Sequence, residues 1–276
     1  MNERCIPTVL SIAGSDSGGG AGIQADLKAF ARCGVHGTTA ITAITAQNTV
    51  GVESVEAVSP QAIIAQISAV ADDIGVDAIK VGMLGTADAI EAVVAALALM
   101  VDADAPVVVD PVIAAESGAS LLDPEAYETL VVRLLPMAAV VTPNIPEARA
   151  LCGAGEDASQ EELARGVLAL GSKAVVVTGG HSESLVDLFF DGERLVEIPG
   201  ERHPDGAAHG SGCTHSSALA AFLARGVGPL EAARWARAIA SKAVGAGLRS
   251  IGAGPGPVDV LDLVARRAET LEHADG

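Results

Sequence analysis

Short apolar runs rich in β-branched residues recur along the chain, and each has the length of a buried strand. They lie at residues 8–12, 38–43, 78–81, 107–110, 139–142 and 174–178. Continuous apolar runs of this kind, bounded by Gly, Pro or small polar residues, are typical of strands that are covered on both faces. The pattern therefore predicts a parallel sheet enclosed between layers of helix.

Stretches with helical periodicity separate most of these runs. They cover residues 22–33, 60–73, 86–101, 124–135 and 159–170. Strands that alternate with helices are joined by right-handed crossovers, which place helices on both faces of a sheet. We expect an α/β fold with three layers, α/β/α, around a mainly parallel central sheet.

The last third of the chain departs from this alternation. Runs at 185–190 and 195–198 flank a turn pair, Asp191 and Gly192, so we expect one small antiparallel hairpin near an edge of the sheet. Helical patterns then cover 213–225, 229–246 and 258–271, without a further strand. Because the sequence contains no linker, repeat or low-complexity segment, we expect a single domain over residues 1–276.

Composition supports this fold class and indicates a compartment. Hydrophobic residues make up 50% of the chain but aromatic residues only 2%, so the core must consist mainly of Ala, Val, Leu and Ile. No apolar run approaches the ~18 residues of a membrane-spanning helix. The four cysteines are widely spaced and the first residues do not form a secretory leader pattern. We expect a soluble, cytoplasmic protein.

The chain is strongly acidic, with a formal net charge of −18. This charge disfavours nucleic acid and anionic membranes as partners, because both are bound by clustered Lys and Arg. It would also repel a nucleotide triphosphate. An enzyme of this composition that uses such a nucleotide would depend on backbone amides, helix N-termini and a divalent metal ion.

The residues that follow the predicted strands suit a ligand crevice. In open parallel sheets, ligands bind beyond the carboxyl ends of the strands. The corresponding positions here are mostly Gly, Pro and small polar residues, at 14–20, 47–48, 82–83, 111–112, 143–144 and 179–180. We therefore expect the functional site at this edge of the sheet.

A glycine-rich segment precedes the first of the C-terminal helices. It consists of His209, Gly210, Ser211, Gly212, Cys213 and Thr214. Glycine lets the backbone approach a phosphate closely, and the first N–H groups of the following helix point at that phosphate along the helix dipole. The segment predicts an anion-binding site, although a glycine-rich helix start without a ligand would have the same sequence.

Cys213 lies where a helix N-terminus lowers the pKa of a thiol. It could be a general base, a covalent nucleophile or a small buried residue. A cysteine hydrolase would need a histidine held against Cys213, for which His209 and His215 are the nearby candidates. The same three side chains could be imagined as zinc ligands, but their spacing fits no standard zinc pattern. Both alternatives are disfavoured.

Asn144 and Glu147 follow the predicted strand at 139–142 and begin a helix. Their spacing is that of a capping box, which is a sufficient structural reason for both residues. The same pair would suit Mg²⁺, which keeps several waters and takes few protein ligands. The spacing leaves both interpretations open.

A second glycine-rich segment, residues 15–22, follows the first predicted strand. Residues 20–25 match the dinucleotide pattern GxGxxA, but residues 39–45 lack the carboxylate that would bind the ribose. The P-loop pattern GxxxxGK[ST] does not occur in the sequence. We interpret the segment as a flexible substrate loop, with Asp26 on the next helix either as a hydrogen-bonding partner or as part of a solvated face.

Together these motifs resemble the hydroxymethylpyrimidine/phosphomethylpyrimidine kinases of thiamine biosynthesis, within the ribokinase-like superfamily. The resemblance extends from about residue 9 to residue 257, and its most specific pieces are 13–26, 45–49, 80–84, 110–112, 142–147 and 210–214. It implies a ribokinase-like fold, and transfer of a phosphoryl group from ATP first to hydroxymethylpyrimidine and then to its monophosphate.

The resemblance also implies roles for individual residues. Gln47 would hydrogen-bond the edge of the aminopyrimidine, and the pocket around the ring would be formed by Gly14, Asp26, Met83 and Val112. The transferred phosphoryl group would be stabilised by Gly210, Ser211, Gly212 and Cys213, with Cys213 in the position of the base. ATP would be bound by Asn144, Glu147, Thr178, Gly180, Thr214 and Lys242, and Mg²⁺ by Asp110 and Glu147. A homodimer is implied as well.

The chain departs from the family pattern at several positions. Thr178 and Glu116 stand where members often carry lysine, Ser211 replaces a threonine, and residues 202–208 lack the usual Thr-x-Asn. The loss of two cations beside a polyphosphate bears on ATP affinity or on the second phosphorylation, unless Arg202 or Lys242 takes their place.

Two alternatives remain open at this stage. Pyridoxal kinases share the glycine-rich segment and the cysteine, and Gln47 favours an aminopyrimidine over pyridoxal. A non-catalytic pyrimidine-binding regulatory protein would retain the pocket without phosphoryl transfer. Closure of residues 202–208 as a lid also remains open.

Overall fold

Nine strands form one sheet in the computed structural model of the protein, which describes residues 5–100, 104–114, 118, 121–180 and 185–267. The strands are β1 (Thr8–Asp16), β2 (His36–Gln47), β3 (Val52–Ala57), β4 (Ala78–Val81), β5 (Val107–Val109), β6 (Val140–Val141), β7 (Val175–Val177), β8 (Asp187–Phe190) and β9 (Leu195–Ile198). Their spatial order is β3-β2-β1-β4-β5-β6-β7-β8-β9.

The six central strands, β2, β1, β4, β5, β6 and β7, run parallel to one another. Antiparallel strands close both edges of the sheet, β3 at one and the β8–β9 hairpin at the other. The β8–β9 hairpin lies at one edge, as the turn pair predicted. Strand β3 at the other edge was not predicted, because its sequence intersperses Glu and Ser among apolar residues and its side chains are mostly exposed. It forms by pairing with the second half of β2, which continues beyond the predicted end of that strand.

The helices are α1 (Gly22–Arg32), α2 (Pro60–Asp73), α3 (Ala87–Leu99), α4 (Ala126–Thr129), α5 (Ile145–Cys152), α6 (Gln160–Ala169), α7 (Ser211–Ala224) and α8 (Pro229–Gly245). The predicted helix at 124–135 is irregular, because α4 continues as a π-helical turn (Leu130–Leu134) and a 3₁₀ turn (Leu135–Met137). Pro136 lies in the last turn, where it has no N–H to continue an α-helix.

The predicted helix at 258–271 is wrong at its start. Val258 donates its backbone N–H to the His209 carbonyl at 3.1 Å, so this stretch is held beside the glycine-rich segment. The carboxylate of Asp259 then accepts N–H groups of the helical turn described over residues 263–267. The contact with His209 is long-range, and helical periodicity could not reveal it.

Two apolar layers cover the two faces of the sheet. Val108 of β5 packs in the layer formed with α1, α7 and α8, whereas its neighbour Val109 packs in the layer formed with α2, α3, α5 and α6. Successive side chains of a strand point to opposite faces, so central strands buried on both faces must be apolar throughout. The predicted three-layer α/β/α arrangement is confirmed.

Helix α7 places the glycine-rich segment at the predicted edge of the sheet. It packs against β1, β4 and β5, and the hydroxyl of Ser216 in its second turn donates to Asp110, just beyond β5, at 2.9 Å. The N-terminus of α7 therefore meets the carboxyl ends of the central strands. Among the helices of the described residues, none is long and apolar enough to cross a membrane.

Candidate active site

A cavity of about 800 Å³ lies beyond the carboxyl ends of the strands. It is lined by residues from most of the predicted post-strand segments, and it has three parts. The acceptor end is lined by Gly14, Gln47, Met83 and Val112, the phosphoryl region by Lys80, Asp110, Glu147 and residues 210–213, and the nucleotide end by Asn144, Thr178, Gly180, Asp187, Arg202, His215 and Arg237.

The start of α7 has the geometry of an anion-binding site, but a smaller one than the sequence predicted. Gly210 is the N-cap, with a φ of 83° that favours glycine. The N–H of Ser211 donates to the Ala208 carbonyl at 2.9 Å. Among the described residues, the N–H groups of Gly212 and Cys213 have no partner. These two amides are the groups available to a phosphoryl oxygen.

Cys213 reaches the cavity, although protein atoms surround most of its side chain. Burial raises the pKa of its thiol to about 12, against the lowering effects of Lys80 and of a hydrogen bond from the Gly22 N–H. Without a ligand, the thiol is therefore neutral at pH 7. The expectation that the helix N-terminus lowers the pKa of this thiol is wrong, because desolvation outweighs the helix dipole.

The two disfavoured alternatives for Cys213 gain no support from its surroundings. His209 is bonded to Asp16 at 3.1 Å and His215 lies 3.6 Å from Asp187, so both imidazoles contact carboxylates. In the described part of the chain, no group of three or more His, Cys, Asp or Glu side chains is placed to hold a metal ion.

Beneath the phosphoryl region lies a buried ion pair that the sequence did not indicate. Lys80 lies 3.0 Å from Asp26, and both side chains are fully buried. Asp26 also accepts hydrogen bonds from Ser11 at 2.6 Å and Ser217 at 2.7 Å. Burial disfavours the charged ammonium, but the surrounding acidic groups, Asp26 foremost and Asp110 with it, together outweigh this effect and raise the pKa of Lys80.

This ion pair corrects the expectation for Asp26. The carboxylate does not line the cavity; its oxygens are occupied by Lys80, Ser11 and Ser217, and Lys80 lines the cavity instead. A signal was present in the sequence, because Lys80 interrupts an otherwise apolar buried strand. A charge at such a position requires a buried partner.

Two carboxylates face the phosphoryl region near each other. Burial, followed by the charge of Asp110, raises the pKa of Glu147 to about 8. Burial also raises the pKa of Asp110, although Lys80 and the hydrogen bond from Ser216 oppose it. Nearby carboxylates that resist ionisation are relieved by a cation, and Mg²⁺ takes only one or two carboxylates directly. The residues present therefore fit a Mg²⁺ ion.

The capping box at the start of α5 is confirmed. Asn144 accepts the N–H of Glu147 at 2.8 Å, and Glu147 accepts the N–H of Asn144 at 2.9 Å. Both residues also line the cavity. The structural and the metal-binding interpretations of this pair are thus compatible, because the capping box also fixes the Glu147 carboxylate at the cavity.

The acceptor end brings together four of the five residues predicted to surround a ring. Gly14 donates its N–H to the Met83 carbonyl at 3.1 Å, and a Cβ on Gly14 would lie 3.1 Å from the Met83 sulfur. Gln47 also lines this end, and its side-chain oxygen accepts from the Thr45 hydroxyl at 3.2 Å. The acceptor end therefore combines apolar groups such as Met83 and Val112 with one side-chain amide.

At the nucleotide end, two predicted residues lie elsewhere. Thr214 is fully buried inside α7, and Lys242 is exposed on α8, where it pairs with Asp262 at 3.1 Å. Thr214 and Lys242 do not line the cavity, because a helix presents only some of its positions to one side. Lys242 therefore cannot replace the lysines that the sequence lacks. Arg202 does line the cavity, and Glu116 lies outside the described residues.

A cationic residue that the sequence did not indicate, Arg237 of α8, also lines this end. Its guanidinium donates to the Leu185 carbonyl at 2.6 Å and lies 3.4 Å from Asp187. Asp187 in turn accepts the N–H of Gly179 at 2.9 Å. Arg237 thus holds the wall of the cavity beside Thr178.

The loop at residues 202–208 is docked on α8. The His203 ring lies 2.8 Å from the Ser241 hydroxyl, and the Ala207 N–H donates to the Val244 carbonyl at 3.1 Å. Gly206 packs so closely on Val244 that a Cβ would lie 2.6 Å from its carbonyl oxygen. In this structure the loop forms part of the cavity wall.

Comparisons with known proteins show which family the chain belongs to. The phosphomethylpyrimidine kinase family model matches residues 16–259, which is most of the chain. The chain belongs to this family. A hydroxymethylpyrimidine/phosphomethylpyrimidine kinase from Rhizobium meliloti is 48% identical over 255 residues, covering 90% of this chain and 95% of that protein.

Solved structures related to this family member share its fold. A phosphomethylpyrimidine kinase from Clostridium difficile is 39% identical, with a TM-score of 0.75 over 86% of this chain and 99% of that one. A pyridoxal kinase from Staphylococcus aureus in complex with ADP is 34% identical, with a TM-score of 0.84 over 93% and 94% of the two chains. The expected ribokinase-like fold is confirmed.

Proposed function

We propose that this kinase-family member phosphorylates hydroxymethylpyrimidine, and then its monophosphate, with ATP in thiamine biosynthesis. The observation that carries the proposal is one cavity in which Gln47 lines the acceptor end and the N–H groups of Gly212 and Cys213 face the same space. Relatives named for this activity support it, and a neighbour solved with ADP supports nucleotide binding.

Phosphoryl transfer needs mainly position and charge in such a site. The hydroxymethyl oxygen attacks the γ-phosphorus, the bond to ADP breaks, and the hydroxyl proton is released. Because this transition state spreads negative charge over the transferred group, donors fixed in advance contribute most of the rate. The two amides of α7 and the buried Lys80 supply those donors and charge.

Cys213 is our candidate to receive the hydroxyl proton. With its pKa raised to about 12, the thiol cannot take a proton until it has lost its own. Lys80 favours that ionisation, and the acceptor proton leaves late when the transition state is loose. The base role therefore depends on Lys80 as well as on Cys213.

Asp110 and Glu147 are the residues that would hold Mg²⁺. A bound Mg²⁺ would neutralise charge on the ATP phosphates and orient them. The capping box with Asn144 fixes the Glu147 carboxylate for this task, and Thr178 and Gly180 border the nucleotide end.

Gln47 favours an aminopyrimidine acceptor over pyridoxal. A side-chain amide offers one acceptor and two donors, which match an exocyclic amino group beside a ring nitrogen. Pyridoxal kinase remains the second candidate, because a structure named as that enzyme in complex with pyridoxal is 33% identical. A non-catalytic regulator is opposed by the presence of Cys213, Asn144 and Glu147 in one cavity.

The deciding experiment supplies purified protein with Mg²⁺ and ATP, and with hydroxymethylpyrimidine, its monophosphate or pyridoxal, and resolves the products by mass spectrometry. We expect monophosphate and then diphosphate, with pyridoxal slower. If no phosphorylated product appears from any acceptor, the kinase proposal is wrong. A diphosphate missing while monophosphate forms would confine the activity to the first step.

The acceptor assignment has its own variant. Gln47→Ala removes the amide at the pocket edge, and we expect the KM for hydroxymethylpyrimidine to rise about tenfold, or ~1.4 kcal/mol, with the KM for ATP unchanged. Gln61→Ala on the exposed face of α2 serves as the matched control. An unchanged acceptor KM in Gln47→Ala would remove the main support for an aminopyrimidine.

We further propose that residues 1–276 form one kinase domain and that the protein is a cytoplasmic homodimer. The four cysteines are free, which suits a reducing compartment. Light scattering coupled to size-exclusion chromatography would give the oligomeric state directly, and a monomer mass would refute the dimer.

A further inference from the structure

Asp16, the last residue of β1, organises the turn that follows it. Its carboxylate accepts the N–H groups of Gly18 at 2.8 Å, Gly20 at 3.0 Å and Ala21 at 2.8 Å. The side chain is almost fully buried, and burial alone would raise its pKa. The bond from His209 and those from the backbone nevertheless hold the pKa of Asp16 below its usual value.

The same carboxylate is bonded to a residue 193 positions away in the sequence. The His209 Nε2 lies 3.1 Å from the Asp16 oxygen that accepts from Gly20 and Ala21. His209 immediately precedes Gly210, the N-cap of α7. One side-chain hydrogen bond therefore connects the turn after β1 to the start of the anion-binding helix.

The two segments also fit together sterically. A Cβ on Gly20 would lie 2.1 Å from the His209 ring, and a Cβ on Gly210 would lie 1.8 Å from the Gly20 carbonyl oxygen. Real Cβ atoms do not approach other atoms so closely, so neither glycine can be replaced without moving the opposite segment. The glycines permit the close contact, and the hydrogen bond between Asp16 and His209 holds the two segments together.

The turn between Asp16 and α1 contacts both Gln47 at the acceptor end and Cys213 in the phosphoryl region. Ser17 exchanges two hydrogen bonds with the backbone of Gln47, donating to its carbonyl at 2.6 Å and accepting its N–H at 2.8 Å. At the other end of the turn, the Gly22 N–H donates a hydrogen bond to the Cys213 sulfur. A shift of the turn would therefore move the acceptor edge and the thiol relative to each other.

We propose that Asp16 and His209 are positioning residues: their hydrogen bond holds the turn at residues 17–22 against the start of α7, and so aligns the acceptor oxygen with the amides of Gly212 and Cys213. The inference rests on the proposed function for its kinetic consequence. The structural consequence, a restrained turn at residues 17–22, does not depend on the proposed function.

The kinetic test compares three variants. His209→Ala removes the pair, and because misplacement by about 1 Å can cost ~100-fold in rate, we expect kcat to fall by about that factor with both KM values within about threefold. His209→Gln retains an N–H donor and is expected to recover to within about tenfold of the parent. His36→Ala, on the exposed start of β2, is the histidine control and should leave kcat unchanged.

A double-mutant cycle separates positioning from a general loss of stability. Gly20→Ala displaces the His209 ring without removing it, so we expect it to lower kcat as His209→Ala does. The double variant should be no slower than either single variant, because both remove the same interaction. Fully additive losses, or a kcat in His209→Ala equal to that of the parent, would overturn the proposal.

A structural measurement keeps the two proposals distinguishable. Amide hydrogen exchange of the ligand-free protein should be faster at residues 17–22 in His209→Ala than in the parent, and intermediate in His209→Gln. Faster exchange in a protein that phosphorylates no pyrimidine would refute the proposed function and support the Asp16–His209 hydrogen bond as the restraint on the turn. Unchanged exchange would refute the restraint, whatever the enzyme activity.

Discussion

The two ends of the cavity differ in how completely their buried polar side chains are hydrogen-bonded. At the acceptor and phosphoryl end, Asp26 is bonded to Lys80 and two serines, and Asp16 to His209 and three backbone amides. At the nucleotide end, buried atoms without a hydrogen-bond partner in the described residues include Asp187 Oδ2, both ring nitrogens of His215 and Arg237 Nε.

The difference separates a preorganised part of the site from one that its ligand or water must complete. Donors that act on a transition state must be fixed before the reaction, and a fully satisfied network provides this rigidity. A buried polar atom without a partner costs free energy in the folded protein. The nucleotide end therefore has buried side-chain atoms that still lack a hydrogen-bond partner, whereas Asp16 and Asp26 at the other end are fully hydrogen-bonded.

Breaking the satisfied network should have the largest effect. Lys80→Met keeps most of the side-chain volume but leaves Asp26 charged and unpaired, so we expect the free energy of unfolding to fall by ~3–5 kcal/mol in urea denaturation. Adding Asp26→Asn should recover most of this loss. Arg133→Met, which breaks the half-exposed pair with Glu91, is the control and should cost no more than ~1 kcal/mol. A comparable cost in both single variants would contradict the role of burial.

Removing the thiol tests the chemistry at the same end. We expect Cys213→Ala to lower kcat by ~100-fold, the lower limit for general-base catalysis, while the KM values for acceptor and ATP stay near those of the parent. Cys5→Ala, at an exposed position, should change neither parameter. Turnover near that of the parent in Cys213→Ala would mean that the amides of α7 suffice.

At the nucleotide end, Arg237→Gln should affect one substrate only. Without the guanidinium, Leu185 and Asp187 lose a shared partner, and we expect the KM for ATP to rise about tenfold, or ~1.4 kcal/mol, with the acceptor KM unchanged. Arg234→Gln lies one turn away on α8, exposed, and is the matched control. Equal changes in the two KM values would show that the two ends are not separable.

The smallest effect is expected from replacing His215, whose buried ring nitrogens have no hydrogen-bond partner in the described residues. Burial, aided by Arg237 and opposed by Asp187, lowers the pKa of His215, so the folded protein keeps the ring neutral. Below about pH 6.5 the unfolded chain binds a proton that the folded chain does not, and stability falls by up to ~1.4 kcal/mol per pH unit until the folded pKa is reached.

His215→Leu should therefore reduce the fall in the free energy of unfolding between pH 7.5 and pH 5.5. The measurement is urea denaturation of the variant and of the parent at both pH values. Other titrating groups, such as Glu147, are present in both chains, so the difference between the two slopes isolates His215. His36→Leu, at an exposed site, should leave the slope as it is in the parent. An identical slope in His215→Leu and the parent would show that burial does not keep this ring neutral.

Local patterns determined much of the fold and part of the site. The apolar runs predicted every parallel strand, because strands buried on both faces cannot contain many polar residues. The glycine-rich start of α7 and the Asn144–Glu147 capping box were recognisable because helix ends need donors or acceptors within a few residues. The four ring-pocket residues that meet at the acceptor end came from the family resemblance.

Tertiary structure alone decided which charged groups meet. Asp26 and Lys80 lie 54 residues apart in the sequence, and Asp16 and His209 lie 193 apart, so no local spacing predicted either pair. Arg237 replaces the expected Lys242 at the cavity for the same kind of reason, since the packing of α8 selects which of its faces reaches the cavity. Strand β3 forms only because β2 offers it an edge. The sequence by itself determined which elements form and where the ligand edge lies, through short-range periodicity and capping, whereas partners for buried charges depend on long-range packing.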